Sequence, residues 1–439
     1  MKIFQVLNHF LPQQTAGTEV YTWALSKELI NHGNDVKVII PNYGEDVDKS
    51  YVYDGIPVHQ FAETSVVDRA LIMGFREADG IKAFEGFMVH EKPDIVHFHE
   101  LAGSNGIGLA HVRAAKKTGA KILMTFHLAG NTCATGTLMY KGSIPCNGKI
   151  SQFKCSTCYL QKKGMGSLSS TVATASSIFH YLQIDTTTWK HSIGTALGTA
   201  FLIERLTQRF SELIELSDQI VCIANWYQEV LRLNAVDATK VSFIAQGLPT
   251  WKEPTIRPVA NTKPLRLMFL GRISPFKGLH LLIEALESFS EAEYQLSIFG
   301  HSDGTNYESM LREKTKIKRN IHWRGTLAQD KVTTEMQKHD ILCLCSTFSE
   351  MSPLVIQESK AAGLPVLASN VPGNSDQLEH NENGLLFEFN NVRSLKNQIN
   401  RLIHEPNLVE DLRSNMQQPR AFMEVANEYL ELYQNVLQK

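Results

Sequence analysis

The stretch Ser346-Thr347-Phe348-Ser349-Glu350-Met351-Ser352-Pro353-Leu354-Val355-Ile356-Gln357-Glu358 decides how the chain is read. It begins where an apolar run, Ile341-Leu342-Cys343-Leu344-Cys345, gives way to small polar residues, as a buried strand does on entering a loop. Pro353 suits the first turn of a helix, so Glu350 belongs to the loop and Glu358 to the helix. On an ideal helix eight residues advance about 80° and about 12 Å, too far for two carboxylates to share one proton or flank one bond. The spacing suits contacts at two ends of one long ligand.

A second segment upstream supplies what such a ligand needs. Leu267-Met268-Phe269-Leu270 reads as a buried strand, and Gly271-Arg272-Ile273-Ser274-Pro275-Phe276-Lys277-Gly278 follows it before an amphipathic helix over 279–289. Arg272 offers a planar fork, Lys277 a point charge and the helix start further N–H donors, together a clamp for a diphosphate. It is not a P-loop: the lysine precedes its glycine, and no Ser or Thr follows as a magnesium ligand. By itself the loop reads equally well as a solvated charged turn.

Taken together and in this order, the two segments resemble the donor-site signature of glycosyltransferase family 4, the retaining nucleotide-sugar transferases of GT-B fold. The resemblance covers most of the chain. Ala16-Gly17-Thr18-Glu19 is similar to the glycine turn after the first strand; Pro93-Asp94-Ile95-Val96-His97-Phe98-His99 and Met124-Thr125-Phe126-His127 resemble two strand ends. Ala362-Gly363-Leu364-Pro365-Val366-Leu367-Ala368 and Asn383-Gly384-Leu385-Leu386-Phe387 match the closing pattern. The fold implied is α/β, two Rossmann-like doubly wound domains facing across a cleft. The expected organisation is an acceptor-side domain over 1–255, a nucleotide-sugar domain over 256–419 and a helix over 420–439 returning to the first domain. The linker is expected within 248–264, which holds four prolines.

The resemblance implies a retaining hexosyltransferase that moves sugar from a nucleoside diphosphate to a glycan, lipid-linked or small-molecule hydroxyl, in polysaccharide or glycoconjugate synthesis. Arg272 and Lys277 would hold the diphosphate with Gly17 and Gly271, Glu350 the donor sugar, and Glu358 the ribose. Ser352, Pro353 and Leu354 would start the helix beside the phosphates, and His127 would contact the sugar or phosphate. No catalytic metal is expected: Asp46-Val47-Asp48, the only Asp-x-Asp, reads as a solvated loop. Three departures leave the donor open among UDP-glucose, UDP-N-acetylglucosamine and GDP-mannose. Ala16 stands where a second glycine is common, Ser352-Pro353 replaces a Gly-Phe-Gly style of loop, and Gln246-Gly247-Leu248-Pro249 stands where Asn-Gly and an acidic residue are frequent. A GT-B nucleotide-sugar epimerase and a non-catalytic nucleotide-sugar-binding subunit remain the alternatives. Asp376 occupies a place often held by glutamate.

The remaining features bound this reading. The 439 residues suit two or three domains, and 43% hydrophobic content suffices for real cores. A formal net charge of -2 argues against a nucleic-acid partner. The opening Lys2-Ile3-Phe4-Gln5-Val6-Leu7 is strand-like with no cleavage pattern, and no apolar run approaches the ~20 residues of a membrane span. A cytoplasmic protein is expected, with peripheral membrane contact left open and oligomeric state undetermined. Residues 131–215 form a long, irregular insert carrying Cys133, Cys146, Cys155 and Cys158. Cys155-Ser156-Thr157-Cys158 has metal-knuckle spacing, so structural zinc, free thiols and disulfide or redox chemistry all stay open. The insert is also where acceptor identity would be written, through helices packed on the first domain or a surface that meets a lipid-linked acceptor. Cys222, Cys343 and Cys345 read as small core residues, and His97 and His99 as structural.

Overall fold

The computed structural model describes residues 1–64, 66–102, 106–249, 264–302 and 304–439. The chain forms two compact units, Met1–Ala245 with Phe422–Lys439, and Gln246–Ala421. The sequence boundary at 255/256 and most of the expected linker lie outside the described residues.

In chain order the strands of the first unit are β1 (Lys2–Val6), β2 (Asp35–Tyr43), β3 (Lys49–Tyr53), β4 (Ile56–Glu63), β5 (Ile95–His99), β6 (Lys121–Phe126), β7 (Met139–Tyr140), β8 (Ile144–Pro145), β9 (Gln219–Cys222) and β10 (Val241–Phe243). Eight of them form one sheet in the order β10-β9-β6-β5-β1-β2-β4-β3, and β7 and β8 make a separate small hairpin. All pairings in the large sheet are parallel except β3 with β4. That antiparallel pair is joined at Asp54-Gly55, both with positive φ, a tight turn that right-twisted strands favour. Asp46, Val47 and Asp48 form an exposed loop as expected, within which the Asp48 carboxylate accepts from Ala62 N at 2.8 Å and faces His59 Nε2 at 3.3 Å.

The second unit holds β11 (Leu265–Leu270), β12 (Tyr294–Phe299), β13 (Ile321–Gly325), β14 (Ile341–Leu344), β15 (Val366–Ser369) and β16 (Gly384–Phe387), all parallel, in the order β13-β12-β11-β14-β15-β16. Its strands bury both faces. Leu267, Phe269, Ile341, Cys343 and Leu367 join one apolar cluster, while Met268, Leu342, Leu344, Val366 and Ala368 join the other. Alternation of side chains across a sheet covered on both sides produces the near-continuous apolar runs seen in the sequence.

The insert carries the helices expected for its second part and is more regular than its length and composition suggested. It is mostly helical, with helices Gln152–Leu160, Ser169–Tyr181, Ser192–Leu197 and Thr199–Leu216. The Ser/Thr/Ala-rich run hides a helix because small side chains pack closely: Ala173 and Ser176 are fully buried, and Ser176 Oγ accepts from Ala200 N at 2.8 Å.

The final helix, Phe422–Gln438, packs within the first unit through polar as well as apolar contacts. Tyr429 Oη lies 2.9 Å from Tyr21 Oη and 3.0 Å from Thr125 Oγ1, and Tyr433 Oη lies 2.8 Å from His97 Nδ1. These atoms are buried, so deleting one hydroxyl strands its partners. Tyr429→Phe and Tyr433→Phe are each expected to cost about 1–3 kcal/mol, read as a lower midpoint of the first unit's urea transition. The exposed Tyr181→Phe is the control, and an equally small effect at all three sites would mean that apolar packing alone holds the helix.

Candidate functional site

In each unit the sheet order reverses direction once. In the second unit β12 lies on one side of β11 and β14 on the other; in the first, β2 and β5 flank β1 in the same way. Beyond the carboxyl ends of strands at such a switch point the outgoing loops part and leave room for a ligand. The expected donor-site segments follow β11 and β14, while Gly17 follows β1, His99 ends β5 and His127 follows β6.

After β11 the chain makes a single 3-10 turn over Pro275–Lys277, and Gly278 starts helix Leu279–Leu286. Six of that helix's eight residues are buried, and His280 and Glu284 mark its polar face, as expected of an amphipathic helix. Gly278 has φ +67, and a β-carbon there would collide with the carbonyl of Cys345 at the end of β14. The two loops are laced by Thr347, whose N donates to Phe276 O at 2.8 Å and whose hydroxyl donates to Pro275 O at 3.0 Å. Glu350 is buried, and its Oε1 accepts from Lys277 Nζ and from Ser346 Oγ, each at 2.6 Å. Arg272 is exposed. The backbone of Glu350 presses on Gly373, which has φ +87 and no room for a β-carbon.

Pro353 does not lie in the first turn of the following helix. The helix is Leu354–Ala361, and Pro353 precedes it with ψ 119, outside helical range. Ser352 and Pro353 thus form the extended lead-in, and the first-turn amides receive no side-chain cap. Glu358 is buried four residues into the helix; Gln329 Nε2 donates to its Oε1 at 2.5 Å. Burial pushes its carboxyl up to about 7, against the opposing pull of the Gln329 hydrogen bond.

In the first unit Gly17 opens helix Gly17–Asn31 with open space where a β-carbon would sit. His127 is buried, and burial depresses its imidazole pKa to about 3, so it is neutral. Its Nε2 lies 3.1 Å from His99 Nδ1, and His99 Nε2 lies 2.6 Å from Gln5 Oε1. Gln5 is oriented by its Nε2, which donates to Tyr433 Oη at 3.4 Å. His99 then donates from Nε2 and accepts at Nδ1, so His127 donates from Nε2 and keeps its lone pair on Nδ1. The histidine is thereby set to accept a hydrogen bond. His97 is structural, fully buried between Tyr433 and Thr125.

Three site residues escaped the sequence. Glu100, at φ +74 directly after β5, accepts from His127 N (3.1 Å), Leu128 N (2.8 Å) and Asn131 Nδ2 (2.7 Å), fixing the loop that carries His127. Burial raises its carboxyl to about 7. An acidic residue at the carboxyl end of a buried strand was its only signal. Ser346 and Gln329 carry none, being ordinary polar residues that the fold brings to Glu350 and Glu358.

The seven cysteines are free thiols. Cys222, Cys343 and Cys345 are buried in the cores. Cys133, Cys146, Cys155 and Cys158 all line one cavity. Among the described residues no three His, Cys, Asp or Glu side chains are arranged, as they stand, to hold a metal ion. Among the same residues no helix is long and apolar enough to cross a membrane.

A family model described as "Glycosyl transferase 4-like domain" matches residues 16–153, and one described as "Glycosyl transferases group 1" matches residues 253–418. Spore coat protein SA of Bacillus subtilis is 28% identical over 156 residues, 31% of this chain and 39% of the relative, so the chain spans well under half of that relative's length. A sucrose-phosphate synthase from Thermosynechococcus elongatus shares the fold, with a TM-score of 0.69 at 15% identity over 99% of both chains. HepE from Anabaena, in complex with UDP-glucose, superposes with a TM-score of 0.63 at 15% identity, covering 99% of this chain and 100% of that one. The fold is GT-B, and the two domain matches, one on each side of the chain, assign the protein to the GT-B glycosyltransferases.

The buried carboxyl of Glu358 makes stability depend on pH. Folded, it keeps its proton up to about pH 7; unfolded, it loses it near the ordinary 4.5. Between those values the folded state binds more protons, so stability falls as pH rises through the window. Glu358→Gln is expected to flatten that part of the curve by about 1–3 kcal/mol, measured by urea unfolding from pH 4.5 to 8. An unchanged slope would show that Glu358 is ionised throughout.

Proposed function

We propose that the chain is a retaining glycosyltransferase, transferring a hexose from a nucleoside diphosphate to a hydroxyl of a glycan, lipid-linked or small-molecule acceptor. The observation that carries this reading is the Lys277–Glu350 ion pair, formed between loops that leave neighbouring strands. Breaking the anomeric bond places a second negative charge on the departing diphosphate and positive charge on the sugar. Arg272 and Lys277 are the cations available to the diphosphate, with Gly271 and the uncapped amides after Ser352 and Pro353 as further donors. In this reading Lys277 turns from Glu350 to the incoming phosphate, and Glu350 then accepts from the sugar hydroxyls. Glu358, held by Gln329, accepts from the ribose.

On the first unit, Gly17 lets a ligand approach the start of its helix, and His127 accepts at Nδ1 from a sugar hydroxyl. Direct displacement on one face of the sugar gives retention without a covalent intermediate. The UDP-glucose bound to HepE makes a uridine donor the first to test. The helical insert is read as the acceptor side. Its surface exposes Tyr181, Leu182, Trp189 and Ile193, an apolar set suited to a lipid-linked acceptor at the cytoplasmic membrane face, in polysaccharide or glycoconjugate synthesis.

A thermal-shift panel of nucleoside diphosphates and their sugar conjugates tests the clamp. One nucleotide family should stabilise the wild type, by about 2.7 kcal/mol at a hundredfold excess over Kd, and Arg272→Ala should lose that response. Glu350→Ala should lower transfer at least ~100-fold while keeping stabilisation by the nucleotide alone, because it frees Lys277. Equal loss of transfer and nucleotide binding would overturn the division of labour. Absence of any shift in the wild type would overturn the transferase reading.

A further inference from the structure

The cysteine cavity lies in the first unit and plays no part in the donor chemistry. Cys133 follows the His127 loop, Cys146 follows the β7–β8 hairpin, and Cys155 and Cys158 sit three apart on one face of helix Gln152–Leu160. Three pieces of chain thus converge on one cavity through four sulfurs. Backbone amides are aimed at two of them: Ser151 N donates to Cys155 Sγ at 3.4 Å and Lys141 N donates to Cys158 Sγ at 3.2 Å. Each amide pulls its thiol's pKa down, but burial outweighs it and holds Cys155 and Cys158 above the ordinary thiol value. Lys149 and Lys154 line the same cavity and supply positive charge for a site that would otherwise carry four thiolates. The remaining contacts are those of idle thiols: Cys158 donates to Met139 O at 3.4 Å, and Cys133 meets the hydroxyl of Thr135 at 3.2 Å.

The long helix of the insert buries Phe201, Ile203, Phe210 and Leu213, whereas the cysteine-bearing stretch 133–158 buries only two apolar side chains, Leu138 and Met139. Behind that stretch lies a small apolar cluster, Leu160, Ala173 and Ala196, with Met165 and Val172 packed against it. The hairpin next to it has strands of two residues. So little apolar burial is marginal for an element of this size, and small modules of this kind are commonly stapled by a metal or by disulfides.

We propose that Cys133, Cys146, Cys155 and Cys158 bind one zinc ion as a closed tetrathiolate site that staples the insert. Binding releases the four thiol protons and swings the sulfurs about their single χ1 bonds from their present neighbours onto the ion. With four protein ligands there is no open position, so the ion is structural. Its reach extends to the candidate site, because Asn131 bonds Glu100 and Thr132 bonds Tyr227 at 2.8 Å on the segment between His127 and Cys133. The zinc anchors the far end of the loop that carries His127. This inference stands apart from the transferase reading and does not need it.

Metal analysis of the full chain purified from zinc-replete cells is expected to give about one zinc per chain. The Cys155→Ser/Cys158→Ser variant should lose at least nine-tenths of it. A second measurement needs no variant. Four thiols of the native wild type should resist alkylation, become reactive when a chelator strips the zinc, and be shielded again on readdition. Cobalt added to the stripped protein should give the sulfur-to-metal charge-transfer absorption of a tetrathiolate. Four native thiols that alkylate freely with no stoichiometric metal, a disulfide among the four, iron in place of zinc, or zinc that stays in the double variant would each overturn the proposal.

Discussion

Parallel pairing of β11 with β14 is the constraint on which the second unit's site depends. Parallel strands deliver their carboxyl ends to the same edge of the sheet, so loops more than seventy residues apart in sequence emerge side by side. The approach is so close that Gly278 must lack a β-carbon to clear Cys345, and Thr347 stitches one loop to the other. Everything proposed for Lys277 and Glu350 follows from that adjacency. The same reversal of strand order around β1 places Gly17, Glu100 and His127 at one edge of the first sheet.

Buried charge is handled differently at each carboxylate. Glu350 is paired with a cation and a hydroxyl, which together satisfy it. Glu100 is held by amide donors from the loop it organises. Glu358 has a single side-chain donor, and burial dominates its titration. A charged group removed from water without full compensation is costly, and such costs are tolerated where a ligand later supplies the missing partners. The three buried carboxylates thus differ in how far the protein itself satisfies them.

The histidine chain of the first unit joins the end of the polypeptide to its centre. Tyr433 orients Gln5 and His97, Gln5 orients His99, and His99 sets the tautomer of His127. The final helix thus does more than cover apolar surface. It determines which nitrogen of a neutral imidazole is left to accept a hydrogen bond.

Much of this was legible in the amino-acid order, because local physics writes it there. Strands buried on both faces are apolar along most of their length, so the middles of β11 and β14 could be read from their apolar runs. Arg272, Lys277 and both glutamates stood out as candidates because strand-to-loop transitions and charged residues among glycines are local patterns. The β3–β4 hairpin was also written there, in Asp54-Gly55, and was overlooked. Helices in the insert could be expected but not bounded, because the helical role of its small polar residues depends on neighbours to pack against. Which strands are neighbours, where Glu100, Ser346 and Gln329 sit, and that four cysteines face one cavity were decided by the tertiary structure alone. Those are relations between residues far apart in the chain, set by sheet order and burial, and no local pattern encodes them.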